Sequence, residues 1–264
     1  MFSHMIIGQY MPLSSCLHRL DARAKIIATF VLVLVVFLIN NWFMMLTFSI
    51  CILIVIGLSK VPILYVYKGL KPILILVFFT FLLHVFFTNN GQLLVEWGPI
   101  SIYSGGIIQG FFISLRLILV VTITSILTLT TSPIELTDGL EYLFTPFKKV
   151  GLPAHELALM MSIALRFIPT FMQEADKISK AQMARGVDFR SGPWKDRIKA
   201  FLPLIIPLFM SAFKRAEELA LAMEARGYDG GEGRTNIREL IWKWNDTFSL
   251  CIVGLLTVSI LLVR

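Results

Sequence analysis

The sequence predicts an all-α fold: a polytopic helical membrane protein with about five transmembrane helices and long amphipathic helices on the cytoplasmic side. Three observations carry this. The 264 residues are 56% hydrophobic and only 16% charged, with a mean hydropathy of +0.78, whereas a soluble domain has about a quarter of its residues charged. The apolar residues are gathered into blocks that approach the ~20 residues a bilayer requires. Between two of these blocks lie long segments that mix charge with apolar residues at helical spacing.

The first apolar run, Ile26 to Ile39, reaches span length if Ala22 to Asn40 are helical. Asn40-Asn41 marks a tight turn, and Trp42 suits an interfacial position. A second run, Phe43 to Leu58, completes a helical hairpin. Further spans are expected near Pro72–Phe87, Ile107–Thr130 and Thr247–Val263. Arg19, Arg23 and Lys25 precede the first span, and Lys60, Lys68 and Lys71 separate the second from the third. The Asn40-Asn41 turn and the loop from Asn89 to Gly106 carry no Lys or Arg. This alternation places the N-terminus and the region from Ser132 to about Asp246 in the cytoplasm, with Arg264 outside. The expected domains are 1–131, a membrane domain with four spans; 132–240, the cytoplasmic helices; and 241–264, a C-terminal transmembrane helix. No cleavable signal peptide is expected.

The central region opens with Ser132-Pro133-Ile134-Glu135, a capping box with proline at the first helical position. That helix is expected to end near Lys148-Lys149, before Gly151-Leu152-Pro153. A second helix should run from Ala154 to about Arg185, kinked at Pro169, and a third from about Trp194 to Arg226, bent at Pro203 and Pro207. At 1.5 Å per residue each is near 45 Å long, and their mixed polarity predicts a position along or under the membrane surface.

A short motif ends both long helices. Ala184-Arg185-Gly186 recurs as Ala225-Arg226-Gly227, each followed two residues later by an acid, Asp188 and Asp229. Few other identities surround the two copies, so this is a repeated tip rather than a duplicated domain. Glycine in the left-handed conformation stops a helix. An arginine just before it lies in the last turn, where the helix dipole favours a cation. Its rigid fork of donors can grip a carboxylate with two bonds. A single copy would read as a favourable helix-end cation with no partner. Two copies on adjacent helices favour a device that binds another protein.

The chain resembles the transmembrane T component of energy-coupling factor (ECF) transporters, a branch of the ABC transporters that imports vitamins and transition metals. The resemblance covers nearly the whole length. It rests on the stretch Pro12 to Lys25, on Leu165-Arg166-Phe167-Ile168-Pro169 and on both tips; the family usually has proline where this chain has Ala22. The resemblance implies a non-catalytic coupling subunit in a bacterial or archaeal cell membrane. Its long helices would act as coupling helices, with Arg185 and Arg226 docking into grooves on two ABC-type ATPase subunits, a heterodimer or homodimer. It also implies a small substrate-binding membrane S component, held mainly by apolar contacts. ATP and Mg would be bound by the ATPase subunits and no cofactor by this chain. The expected cargo is a vitamin; the alternative is a dedicated T component of a cobalt, nickel or biotin importer.

Other features point elsewhere less well. The charge of +7 is spread around the apolar runs rather than gathered in one patch, which suits a bilayer and not nucleic acid. There is no Gly-x-x-x-x-Gly-Lys-Ser/Thr P-loop; Gly230 to Thr235 is a superficial likeness that reads as a loop. Cys16, Cys51 and Cys251 lack metal or disulfide spacing, and His4, His18, His84 and His155 lack metal spacing. A membrane protease or prenyl-transferring enzyme would need placed Ser/His, paired Asp or an Asp-rich motif, and none is visible. Arg116, inside the fourth span, is expected to make a structural pairing, and His84 to be a hydrogen-bonded packing residue.

Overall fold

The computed structural model describes residues 10–97, 100–151, 153–187, 189, 193–228 and 240–263. Asp188, Asp229, His4 and the run Gly230 to Thr235 lie outside the described residues. The described residues are mostly helical. The elements are α1 (Ala22–Leu38), α2 (Trp42–Ser59), α3 (Ile63–Phe87), β1 (Leu93–Trp97), β2 (Ile100–Tyr103), α4 (Ser104–Thr130), α5 (Pro133–Phe144), α6 (Ala154–Ala184), α7 (Trp194–Glu224) and α8 (Trp244–Val263). A 3-10 helix, Thr145–Val150, follows α5. Two compact units emerge, one holding α1 to α4 with α8, the other α6 and α7.

In the first unit, α2, α3, α4 and α8 are long and apolar enough to cross a membrane. The count of about five included α1, which has 17 residues and falls just short of that set. It ends at Leu38 rather than Asn40. The hairpin reading also changes: the main partners of α1 are α8 and α4. Val35, Val36 and Ile39 share one buried core with Met44, Met45 and Phe48 of α2 and with Leu119 and Ile123 of α4. The Lys60-to-Lys71 loop is shorter than expected. Lys68 and Lys71 ride the first turns of α3, which continues through Pro72. At 25 residues, α3 exceeds a ~30 Å hydrocarbon core, so its basic first turns extend past it.

Helices α3 and α4 share the most extensive contact, where glycine lets backbones approach. A Cβ on Gly110 would stand 3.2 Å from carbons of His84 and Phe81. Between these helices lies an antiparallel hairpin, β1 with β2, where the sequence suggested only a loop. The capping box forms as read: the Ser132 N–H donates to Glu135 Oε2 and the Glu135 N–H to Ser132 Oγ, both at 3.3 Å.

Candidate functional site

Both long helices appear at nearly the expected bounds, α6 ending at Ala184 and α7 at Glu224. Their ends are closed in the same way. At the first tip the Val187 N–H donates to the Gln182 carbonyl and the Gly186 N–H to Met183, both at 3.0 Å. At the second the Tyr228 N–H donates to Met223 at 3.0 Å and the Gly227 N–H to Glu224 at 2.9 Å. This is the Schellman pattern, with glycine just past the cap. Gly186 and Gly227 have φ of +91° and +72°, and a Cβ on either would meet open space. Glycine is needed there for its backbone freedom and not for lack of room.

This closure decides what the arginines can do. The backbone satisfies the last carbonyls, so neither Arg185 nor Arg226 is consumed in capping. Ala184, Arg185, Gly186, Ala225, Arg226 and Gly227 are all exposed. Among the described residues no hydrogen bond or ion pair engages either guanidinium.

The two tips face apart. Ser211 Oγ donates to Glu174 Oε1 at 2.6 Å, and the Arg215 guanidinium to Glu174 Oε2 at 3.1 Å. About two turns farther along α6, Gln182 Nε2 donates to the Pro203 carbonyl at 3.4 Å. As residue numbers rise on α6 they fall on α7, so the helices run antiparallel where they touch. Their C-terminal tips therefore leave the pair at opposite ends. From Pro203, the level of the first tip, to Arg226 is roughly 35 Å of helix. The apolar residues between the tips stay open: Ile206, Phe209, Met210 and Phe213 are each about 60% exposed or more, with Phe209 and Phe213 edge to face at 4.6 Å. Pro169, Pro203 and Pro207 lie within unbroken helices.

The opening stretch Pro12 to Lys25 has a structural task that sequence reasoning missed. Asp246, 1% exposed at the start of α8, accepts from the Asp21 N–H at 2.8 Å and the Lys243 N–H at 2.7 Å. Asp21 caps α1 by accepting from the Arg23 N–H at 2.9 Å. The Arg23 guanidinium donates to the Leu240 carbonyl at 2.7 Å. Lys25, also buried, donates to the Thr130 carbonyl at the end of α4 at 3.0 Å. One acid–base cluster thus fastens the starts of α1 and α8 to the end of α4. The available signal was a set of charges at the edges of three apolar runs.

His18 belongs to the same stretch. Its Nε2 pairs with the Met11 carbonyl at 3.1 Å and its Nδ1 with Ser15 Oγ at 2.6 Å. The carbonyl can only accept, so Nε2 carries the proton and Nδ1 accepts from the serine. Burial pushes the His18 pKa below its usual value, with Lys25 adding to the effect and the Met11 bond and Glu135 opposing it.

Arg116 makes the expected structural pairing, and with a backbone group rather than an acid. It donates to the Ile39 carbonyl at the end of α1 at 2.6 Å, and its guanidinium lies 5.2 Å from the Phe112 ring centroid. His84 bonds the Thr80 carbonyl at 2.9 Å, as a packing residue would. Among the described residues no group of three or more His, Cys, Asp or Glu is placed to hold a metal ion.

Comparison with known proteins fits this arrangement. The family described as "Cobalt transport protein" matches residues 13–237. A Bacillus subtilis protein named energy-coupling factor transporter transmembrane protein EcfT is 56% identical over 99% of this chain and 98% of its own length. Its namesake from Macrococcus caseolyticus is 52% identical over the full length of both chains. One from Listeria innocua is 54% identical over 97% of each. With four membrane-length helices among the described residues, an antiparallel pair of long amphipathic helices and such relatives along its whole length, this chain belongs to the family of EcfT proteins, the transmembrane T components of ECF transporters.

Proposed function

We propose that this chain couples ATP hydrolysis by two ABC-type ATPase subunits to uptake through a small membrane S component, and catalyses nothing itself. One observation carries the reading: two identically closed helix ends, each presenting an exposed arginine, leave an antiparallel pair in opposite directions. Two outward tips roughly 35 Å apart along the helix suit two separate grooves better than one. Each guanidinium can take a groove carboxylate with two bonds. The ATPase subunits would hold ATP and Mg. The S component would cover the open apolar face around Phe209 and Phe213 of α7, which solvent alone disfavours.

The test is the double variant Arg185→Ala/Arg226→Ala, assayed by co-purification of ATPase subunits and by substrate uptake in vesicles. Assembly and uptake should both collapse while membrane insertion and S-component binding persist. Full assembly with full uptake in that variant would sink the reading.

The cargo is read as a vitamin. The high-identity relatives carry the general energy-coupling name, although the matching family is described by cobalt transport. Mass spectrometry of the small membrane proteins that co-purify decides between them; a metal-specific subunit alone would overturn the vitamin reading. The loop charges support a cytoplasmic position for Lys60, Lys68, Lys71 and the helix tips. In a chain without its native cysteines, Gln92→Cys should react with an impermeant thiol reagent from outside and Arg226→Cys should not. The reverse pattern would refute this orientation.

A further inference from the structure

A cavity of about 440 Å³ opens where the end of α2 and the start of α8 meet the stretch Ser14 to Leu20. Arg19, Lys60, Ser14, Ser15 and Asn245 are among the residues that line it, with Leu20 and Leu58 as apolar neighbours. Lys60 is held at the rim by its own backbone: it caps α2 in the left-handed conformation, its N–H bonded to the Gly57 carbonyl at 3.3 Å. The nearby acids are engaged in fastening helices, since Asp21 and Asp246 accept backbone N–H groups. Among the described residues no carboxylate pairs with Arg19 or Lys60. Two cations without a carboxylate partner thus share one recess with Ser14, Ser15 and Asn245.

Its surroundings say what fills it. Both α2 and α8 are long and apolar enough to span a bilayer, and the cavity lies at one end of each. Leu58 is 54% exposed, and beside α8's start Trp244 is 89% and Ile241 71% exposed. Tryptophan collects at headgroup level, and basic pockets beside spanning helices suit anionic headgroups. We infer that this cavity binds the phosphate headgroup of an anionic phospholipid, with Arg19 and Lys60 on the phosphate, Ser14 and Asn245 on its polar substituent, and Leu58 beside the acyl chains.

The test uses the full chain purified in detergent and titrated with phosphatidylglycerol or phosphatidylcholine, with bound lipid counted by native mass spectrometry. The wild type should retain one phosphatidylglycerol at much lower lipid concentration than phosphatidylcholine. Arg19→Gln/Lys60→Gln should weaken phosphatidylglycerol about tenfold to thirtyfold and leave phosphatidylcholine unchanged. The charge-keeping Arg19→Lys/Lys60→Arg should hold most of the preference, and Lys68→Gln, outside the cavity, all of it. Equal retention of both lipids by the wild type overturns the proposal, as does an unchanged double variant. Equal loss in Lys68→Gln would mean diffuse surface attraction and overturn it too. Displacement of the lipid by millimolar glycerol phosphate would reassign the cavity to a soluble phosphate. If the double variant does not fold, the two single variants and the wild-type lipid ratio decide.

Discussion

The two units of this molecule meet one physical problem in opposite ways. Every helix leaves its last carbonyls without partners. At two helix ends of the membrane unit, cations from other helices supply the missing donors: Lys25 reaches Thr130 at the end of α4, and Arg116 reaches Ile39 at the end of α1, while α2 closes on its own backbone at Lys60. In the α6–α7 unit, the backbone closes its own ends through Gly186 and Gly227. The first arrangement uses up the charge for folding. The second leaves Arg185 and Arg226 beside a satisfied helix end, exposed and available. A basic residue near a helix C-terminus is therefore informative only once the carbonyls are accounted for. Where the backbone already serves them, the cation is there for something else.

If that contrast is sound, the arginines should matter to assembly and not to folding. Truncating one side of a desolvated charge pair typically costs about 2 to 5 kcal/mol, much of it from stranding the partner charge. Each of Arg185→Ala and Arg226→Ala should weaken ATPase-subunit binding on that scale, measured by titration of the purified complex. Thermal melting of the isolated chain should stay unchanged. Lysine should rescue poorly, because it keeps the charge and loses the fork. A melting point lowered as much as binding would erase the distinction between the two units.

The membrane unit should behave in the opposite sense. Asp246→Ala leaves the buried Asp21 N–H without its acceptor, and a stranded buried donor costs about 1 to 3 kcal/mol. The isolated chain should melt lower, and α8 should become accessible to protease near Trp244. ATPase subunits should still bind whatever fraction remains folded. Wild-type melting would remove the cluster from the list of fastenings.

A smaller effect tests the closure itself. Gly186→Ala and Gly227→Ala meet no steric neighbour, so the only cost is an alanine at positive φ, about 1 to 2 kcal/mol per residue. The last turn should fray, and the adjacent arginine should lose its fixed direction. ATPase binding should fall by less than in the arginine variants, with faster amide exchange confined to Gln182–Gly186 or Met223–Gly227. Exchange unchanged at both tips would show that glycine is not holding them.

Local signals made α6, α7 and the start of α5 legible within a residue or two; the helix expected to reach Lys148-Lys149 stops at Phe144 and tightens into the 3-10 helix Thr145–Val150. Ser132-Pro133, Gly151-Leu152-Pro153 and the two Ala-Arg-Gly tips are all stop or start marks whose physics lies in a few adjacent residues. The Asp21–Asp246 tie spans 225 positions, and no local pattern encodes such a meeting. The β1–β2 hairpin was hidden because its strands are only five and four residues long and β1, Leu93-Leu94-Val95-Glu96-Trp97, does not alternate. Ile100-Ser101-Ile102-Tyr103 carried the period-two hint. The start of α3 was misplaced because Lys68 and Lys71 were weighed as topology marks, whereas lysine is also a good helix former. The bond from Arg116 to the Ile39 carbonyl at the end of α1 joins different helices, so it too left no local mark. The tips were found as a motif; their availability emerged only from the hydrogen bonds that surround them.

The smallest expected effect lies in His18, at the edge of the fastened cluster. Its neutral ring accepts from Ser15 and donates to Met11. Burial favours that neutral form, Lys25 opposes a second positive charge, and Glu135 partly offsets both. The folded-state pKa therefore lies below the ordinary value of 6.5. Below 6.5 the unfolded chain binds the proton more readily, so stability falls as pH drops. The contribution is complete above 6.5, declines as pH falls toward the depressed folded value, and then levels off. Protonation does not break the site outright, because Ser15 can turn from donor to acceptor. The loss should thus be smaller than that of the glycine variants. Melting curves from pH 7.5 to 5.5, taken as wild type minus His18→Gln, remove the carboxylates common to both chains. The difference should shrink as pH falls. A difference that grows on acidification would mean that the folded state prefers the imidazolium, and that Glu135 outweighs burial at this position.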